Sequence, residues 1–296
     1  MSCQVKRCCL VLLIAICSRV DGVMTRRVSG VSLFVVLLAL VSLTTRVSAV
    51  EPTIRIAAAS SLQFALGEVI ETYRTVAHAD NTASNNTPPR IQIVYGSSGN
   101  LYRQIVQGAP FDLFLSADDT LVDKLQQQGV TLQEGVEFGQ GQLVIAMGKQ
   151  VAERWPDQSA DSLLNALATG NGNSRLAIAN PTHAPYGKAA KQFIESLGLW
   201  SQLKPKLVYG EKVSQAAQFV TSGAVDIAVI SMSLALSIEV DHLPVDPRYH
   251  QPIVHKMIVL TEDEVSISRF YRYLTHDAGV AAVFKKYGYI REKSNP

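Results

Sequence analysis

From Glu51 onward, short apolar runs alternate with stretches whose apolar positions recur every three to four residues. The runs predict strands at 54–58, 91–95, 113–116, 143–147, 176–179, 207–209, 227–231 and 257–260. The stretches between them predict helices such as 62–73, 101–107, 122–127, 188–197 and 214–221, and two aromatic-rich helical patterns fill 265–289. Strands alternating with helices argue for an α/β fold of mostly parallel sheets covered on both faces. Ligands of such folds sit beyond the carboxyl ends of the strands. The stretch 78–89 is polar and without period, and reads as an exposed loop; 243–252, with three prolines, reads as a crossing between domains. Gly139 and Gly141 fit a bend between lobes and a plain turn equally well.

Two apolar runs precede this pattern, at 8–17 and 31–43. The second has Arg26 and Arg27 before it and Val47-Ser48-Ala49 after it, the layout of a secretory signal cut after Ala49. Both runs fall short of the ~20 residues that span a bilayer, which argues against a membrane anchor. Met24 stands just before the second run and is the expected true start. All four cysteines, Cys3, Cys8, Cys9 and Cys17, precede the cut, so the mature chain has no disulfide, catalytic thiol or cysteine metal site. No cysteine follows to take a lipid, so a freely soluble, periplasmic protein is expected.

The leader changes the charge balance. Residues 1–49 hold six Lys/Arg and one Asp/Glu; removing them from 27 and 25 leaves 21 and 24, a net charge of −3 on 247 residues. Nothing in this balance suggests nucleic acid or an anionic membrane as partner.

The candidate chemistry lies in two strand-to-helix turns rich in hydroxyls, with no cation near either. One is Ala57-Ala58-Ala59-Ser60-Ser61-Leu62 and the other is Tyr95-Gly96-Ser97-Ser98-Gly99-Asn100-Leu101. Both read as serines at helix N-caps, where free backbone N–H groups and the positive dipole end point outward. Two such ends converging would make an anion site without a metal. Asp118-Asp119 reads as the cap of a helix starting near Thr120 rather than a cation site. The six histidines show no metal-ligand spacing, Gly96-Ser97-Ser98-Gly99 is not a nucleophile elbow, and no nucleotide-binding G-x-x-x-x-G-K occurs.

Gly108-Ala109-Pro110-Phe111-Asp112-Leu113-Phe114-Leu115-Ser116-Ala117-Asp118 resembles the signature of periplasmic molybdate-binding proteins, the soluble receptors of molybdate ABC importers. The 57–62 turn, Arg175 to Pro181 with Ala184-Pro185-Tyr186-Gly187, and Phe284 to Tyr289 resemble further segments of that family, in order along the mature chain. The resemblance implies the type II periplasmic binding protein fold: two α/β lobes, each a mixed, mostly parallel sheet flanked by helices, with the ligand in the cleft between them. It implies lobe one at 50–138 plus 254–296 and lobe two at 139–253, after a 1–49 leader. Carried over, the oxyanion ligands are Ser61, with Ser60 used by some members, Ser98, Tyr186 and the backbone N–H of Val213. A helical pattern beginning at Val213 agrees independently. One departure stands out: Ile230 occupies a position where some members have a tyrosine donor, and the Tyr186 phenol is expected to replace it. The implied ligand is molybdate or tungstate, bound as an oxyanion with no cofactor and no metal cation, by a monomer that does no chemistry. The implied partner is a membrane permease driven by a separate ATPase.

Two rivals follow from the same residues. A receptor of this fold for another oxyanion such as sulfate would use the same neutral donors. A secreted hydrolase would pair a serine with His183 or His255, without a nucleophile elbow to support it.

Overall fold

The structure, a computed structural model, describes residues 53–80, 89–131, 133–155, 159–170, 172–261 and 265–291. The leader with its cysteines and Met24, and most of the polar stretch, 81–88, lie outside the described residues. β1 (Thr53–Ala59) runs into a single 3-10 turn, Ser60–Leu62, and then α1 (Gln63–Asp80). Next come β2 (Arg90–Gly96), α2 (Ser98–Val106), β3 (Leu113–Ser116) and α3 (Asp119–Gln127). β4 (Val136–Gly141) and β5 (Leu143–Met147) are separated by Gln142 alone. α4 (Lys149–Arg154), α5 (Ala160–Thr169), β6 (Leu176–Ala179), α6 (Pro185–Ser196), α7 (Trp200–Leu203) and β7 (Leu207–Gly210) follow. The rest is α8 (Val213–Thr221), β8 (Ile227–Ser231), α9 (Met232–Ser237), β9 (His242–Pro244), β10 (Ile253–Val259), α10 (Val265–His276) and α11 (Ala278–Lys286).

The strands form two five-stranded mixed sheets, ordered β2-β1-β3-β10-β4 and β7-β6-β8-β5-β9. β1 pairs in parallel with β2 and β3, and β10 runs antiparallel to β3 and β4. The second sheet repeats the plan: β6 is parallel to β7 and β8, and β5 is antiparallel to β8 and β9. The chain passes between the sheets at Gln142 and again over 245–252.

Burial explains why the central strands are apolar without alternation. Ile54, Ile56, Ala57 and Ala58 of β1 are all fully buried, Arg55 alone being exposed, as a strand whose carboxyl half is covered by helices on both faces requires. α1 turns Ala65, Leu66, Val69, Ile70, Tyr73 and Ala77 inward as one stripe. α6 buries Tyr186, Ala189, Ala190, Phe193 and Ile194, and burying a side chain the size of Phe193 stabilises by about 1.5–3 kcal/mol. α6 comes close to β6 because residue 187 is glycine: a Cβ there would lie 2.2 Å from the carbonyl oxygen of Ala179. That approach places Tyr186 at the end of β6.

Several expectations need correcting. The first helix continues through Asp80, so 78–80 is not loop. Gly139 lies inside β4, whose polar sequence Val136-Glu137-Phe138-Gly139-Gln140-Gly141 hid a strand, and Gly141 ends it, next to the crossing at Gln142. The stretch 243–252 contains most of β9 and a 3-10 turn, and β10 starts at Ile253 rather than 257.

Candidate functional site

The carboxyl ends of β1, β2, β6 and β7 and the first turns of α2, α6 and α8 meet in one buried region. Ser60, Ser61, Ser98, Tyr186 and Val213 are each at most 4 % exposed. The capping expectation fails in detail. Ala59 is the N-cap of the first turn, and Ser97, the N-cap of α2, makes no capping bond. The hydroxyls are therefore not consumed by their own helices and reach across the structure instead. Asp118 does cap α3, its carboxylate accepting from the Thr120 N–H at 3.1 Å.

Ser98 Oγ accepts from the Ala117 N–H at 2.9 Å, and Ser60 Oγ accepts from the Ser214 N–H of α8 at 3.4 Å. A hydroxyl whose lone pair is taken by a backbone N–H keeps its own hydrogen to give away. Ser60 also joins the first sheet's turn to the start of α8, where Lys212 at the N-cap makes no side-chain capping bond. The Val213 N–H thus belongs to an exposed-dipole first turn in the same place.

Tyr186 stands out. Its hydroxyl is buried and, like those of Tyr73 and Tyr271 elsewhere, has no hydrogen-bond partner among the described protein groups; Tyr186 alone of the three lies at the site. Burial, helped by the Tyr289 phenol, pushes its proton dissociation well above 10, and the Ser61 hydroxyl beside it falls short of a hydrogen bond to it. The phenol is therefore a protonated donor at neutral pH. Gly141 of β4 makes room for it, since a Cβ there would lie 1.9 Å from the Tyr186 hydroxyl and 2.8 Å from His255 Cε1. Ile230 is fully buried in β8 opposite Val144 and offers no donor.

Ser61 is held from several sides. Its carbonyl accepts from Ser233 Oγ at 2.8 Å and from the Tyr289 hydroxyl at 3.0 Å. Its Oγ lies 3.3 Å from His255 Nε2, and the other ring nitrogen, Nδ1, lies 3.1 Å from the Ile253 carbonyl. His255 is fully buried, and burial pushes its imidazole down to about 4. Sequence reasoning gave this histidine only a base's part in the hydrolase rival; nothing local marks it, because its partner is 194 residues away.

The rim carries the charges. His183 Nδ1 lies 2.9 Å from Ser97 Oγ, its Nε2 lies 3.2 Å from a Glu211 carboxylate oxygen, and its carbonyl accepts from the Gly99 N–H at 2.9 Å. His183 thus bridges the Ser97–Gly99 turn and Glu211, just before α8. Lys212 Nζ donates to the Tyr95 carbonyl at 3.1 Å. The expectation that no cation lies near either turn is therefore wrong: one arrives from a segment distant in sequence.

Five neutral donors without a carboxylate suit an anion with no proton to give. The family of bacterial extracellular solute-binding proteins matches residues 54–290. The chain belongs to that family. Among its relatives, the molybdate-binding protein ModA of Escherichia coli is 31% identical over 248 residues, covering 81% of this chain and 89% of that protein. The molybdate-binding protein ModA of Rhodobacter capsulatus is 31% identical over 211 residues, covering 71% of this chain and 81% of that protein. The solved periplasmic molybdate-binding protein of Azotobacter vinelandii superposes with a TM-score of 0.67 at 25% identity, over 81% of this chain and all of that one. The fold of this solute-binding chain is accordingly the two-lobed type II periplasmic binding fold. Family and relatives point to a binding protein and lend nothing to the hydrolase reading. His255 agrees: its second nitrogen faces a carbonyl and not a carboxylate, and an imidazole near 4 is a weak base.

Proposed function

We propose that this chain captures molybdate, and tungstate equally, outside the cytoplasm and delivers it to an ABC importer whose ATPase is a separate subunit. The observation that carries the reading is the buried set of neutral donors, with the Tyr186 hydroxyl left without a protein partner. Ser60, Ser61, Ser98, Tyr186 and the Val213 N–H are its proposed ligands, and the Tyr186 phenol supplies the donor that Ile230 cannot. The proposed lobes are 50–138 with 254–296, and 139–253; the proposed mature protein is a periplasmic monomer released from its 1–49 leader.

Selectivity follows from geometry. Molybdate and tungstate are tetrahedral dianions with long metal–oxygen bonds. Sulfate is too small to reach every donor of a ring fitted to them. Each donor left facing nothing in a dry cleft costs about 1–3 kcal/mol, so two missed contacts amount to roughly a hundredfold or more. Hydrogen phosphate would need an acceptor for its proton, and no carboxylate lies among these ligands.

The test is titration calorimetry of the dialysed protein with molybdate, tungstate and sulfate, and of Ser98→Ala and Ser61→Ala with molybdate. Tight binding of the first two, weak or absent heat with sulfate, and a loss of about 1–3 kcal/mol in each variant are expected. Unchanged affinity in both variants would remove the proposed site; sulfate binding as tightly as molybdate would favour the other-oxyanion receptor.

A further inference from the structure

Ser61 differs from Ser60 and Ser98 in what it does with its hydrogen. The Ile253 carbonyl can only accept, so a neutral His255 must carry its single ring proton on Nδ1 to meet it. Nε2 is then a bare acceptor, and the group 3.3 Å away is the Ser61 hydroxyl. The Ser61 hydrogen is committed to the imidazole, and the face of Ser61 Oγ turned elsewhere is a lone pair. A lone pair repels a dianion.

The surroundings fix this arrangement. His255 faces inward with Ile253 and Met257 by the alternation of β10, and the β10–β4 ladder shifts register beside it, leaving Phe138 as the extra residue on β4. The ring is packed by Phe138 at 5.8 Å, Tyr186 at 6.1 Å and Tyr289 at 4.9 Å between centroids. The titratable groups facing it are the phenols of Tyr186, on α6, and Tyr289, after α11, both pushed upward and neutral. Lys256, next on β10, turns its ammonium to Asp123 of α3 at 2.6 Å, and Glu137, opposite Lys256 on β4, is exposed. Burial and the Ile253 carbonyl set the basicity of the imidazole, with no charged neighbour compensating among the described residues.

We propose that His255 is a positioning residue for Ser61 and that the oxyanion is captured together with one proton, taken from solvent onto His255 Nε2. The proton balance is simple. Imidazole plus H⁺ becomes imidazolium; Nε2–H then donates to Ser61 Oγ, and the Ser61 hydrogen is released to the anion. The empty site stays uncharged, and the filled site places one positive charge behind a neutral donor facing a dianion. Two negative charges about 5 Å from an imidazole, at an effective dielectric constant of about 20, suffice to lift it from about 4 to above 7. This inference rests on the oxyanion site proposed above.

The test is calorimetric titration of the dialysed wild-type protein with sodium molybdate, in two buffers of different ionisation enthalpy, from mildly acid to mildly alkaline pH. The expected result is uptake approaching one proton per molybdate at neutral pH, with affinity falling about tenfold per pH unit above the pKa-limited plateau of the empty imidazole. His255→Gln, whose amide N–H can donate to Ser61 Oγ without titrating, should bind with no proton uptake and a flat pH profile. Binding heat with no proton uptake in the wild type overturns the inference alone and leaves the oxyanion site standing. Uptake that persists in His255→Gln overturns the assignment to His255. Absence of molybdate binding in the wild type removes the site reading and this inference with it. Should His255→Gln not fold, the wild-type proton count still decides, together with the Nε2 nitrogen NMR shift, which must move to the imidazolium range on adding molybdate.

Discussion

Replacing Tyr186 by Phe should change stability and affinity in opposite directions. The ring stays, so the packing of α6 against the site is preserved and no cavity opens. What goes is one hydroxyl that is buried and unpartnered among the described protein groups. An unsatisfied buried polar group costs about 1–3 kcal/mol, and its removal should return that amount to the empty protein. For a domain of about 150–250 residues each 1 kcal/mol moves Tm by about 2–4 °C, so the dialysed variant should melt several degrees above wild type. With molybdate the sign reverses, because the phenol is then a donor to a charged acceptor, a bond of about 1.5–3 kcal/mol, and affinity should fall about 10- to 150-fold. Differential scanning calorimetry of ligand-free protein and titration calorimetry read the two effects separately. A variant that melts below wild type while binding molybdate equally well would refute the reasoning, since the hydroxyl would then have a protein partner and no ligand.

Gly141→Ala puts a methyl 1.9 Å from the Tyr186 hydroxyl and 2.8 Å from His255 Cε1. Overpacking of this kind costs about 1–3 kcal/mol; both Tm and molybdate affinity should drop, and wild-type values for both would contradict the geometry. The empty protein should also lose stability in acid through His255. Its folded-state pKa of about 4 lies below the ordinary 6.5, so the fold favours the neutral ring. That contribution is complete above pH 6.5 and is lost as pH falls toward 4, about 3 kcal/mol in all. Urea midpoints across that range should fall more steeply for wild type than for His255→Gln; parallel curves would refute it.

The central strands were legible because a strand buried on both faces is apolar over most of its length: β3, β5, β6 and β8, and β1 apart from the exposed Arg55, all read directly. β4 was not, since its polar, glycine-bearing sequence carries no strand signal and is held in the sheet by pairing with β10. β9, three residues ending in proline, is likewise held only by β5. The proposed ligands came from short turns and a family resemblance, and the structure gathers Ser60, Ser61, Tyr186 and the start of α8, with Ser98 joined through Gly99 and the His183 carbonyl.

What the chain's local order determined was the succession of buried strands, amphipathic helices and hydroxyl-bearing turns, because burial and backbone geometry act over a few residues. Which hydroxyls keep a hydrogen to give was decided only in three dimensions. Ser98 takes its N–H from Ala117, Ser60 takes its N–H from Ser214, and Ser61 surrenders its hydrogen to His255. Hydrogen-bond direction depends on the partner's chemistry, and for Ser60 and Ser61 those partners come from 154 and 194 residues away.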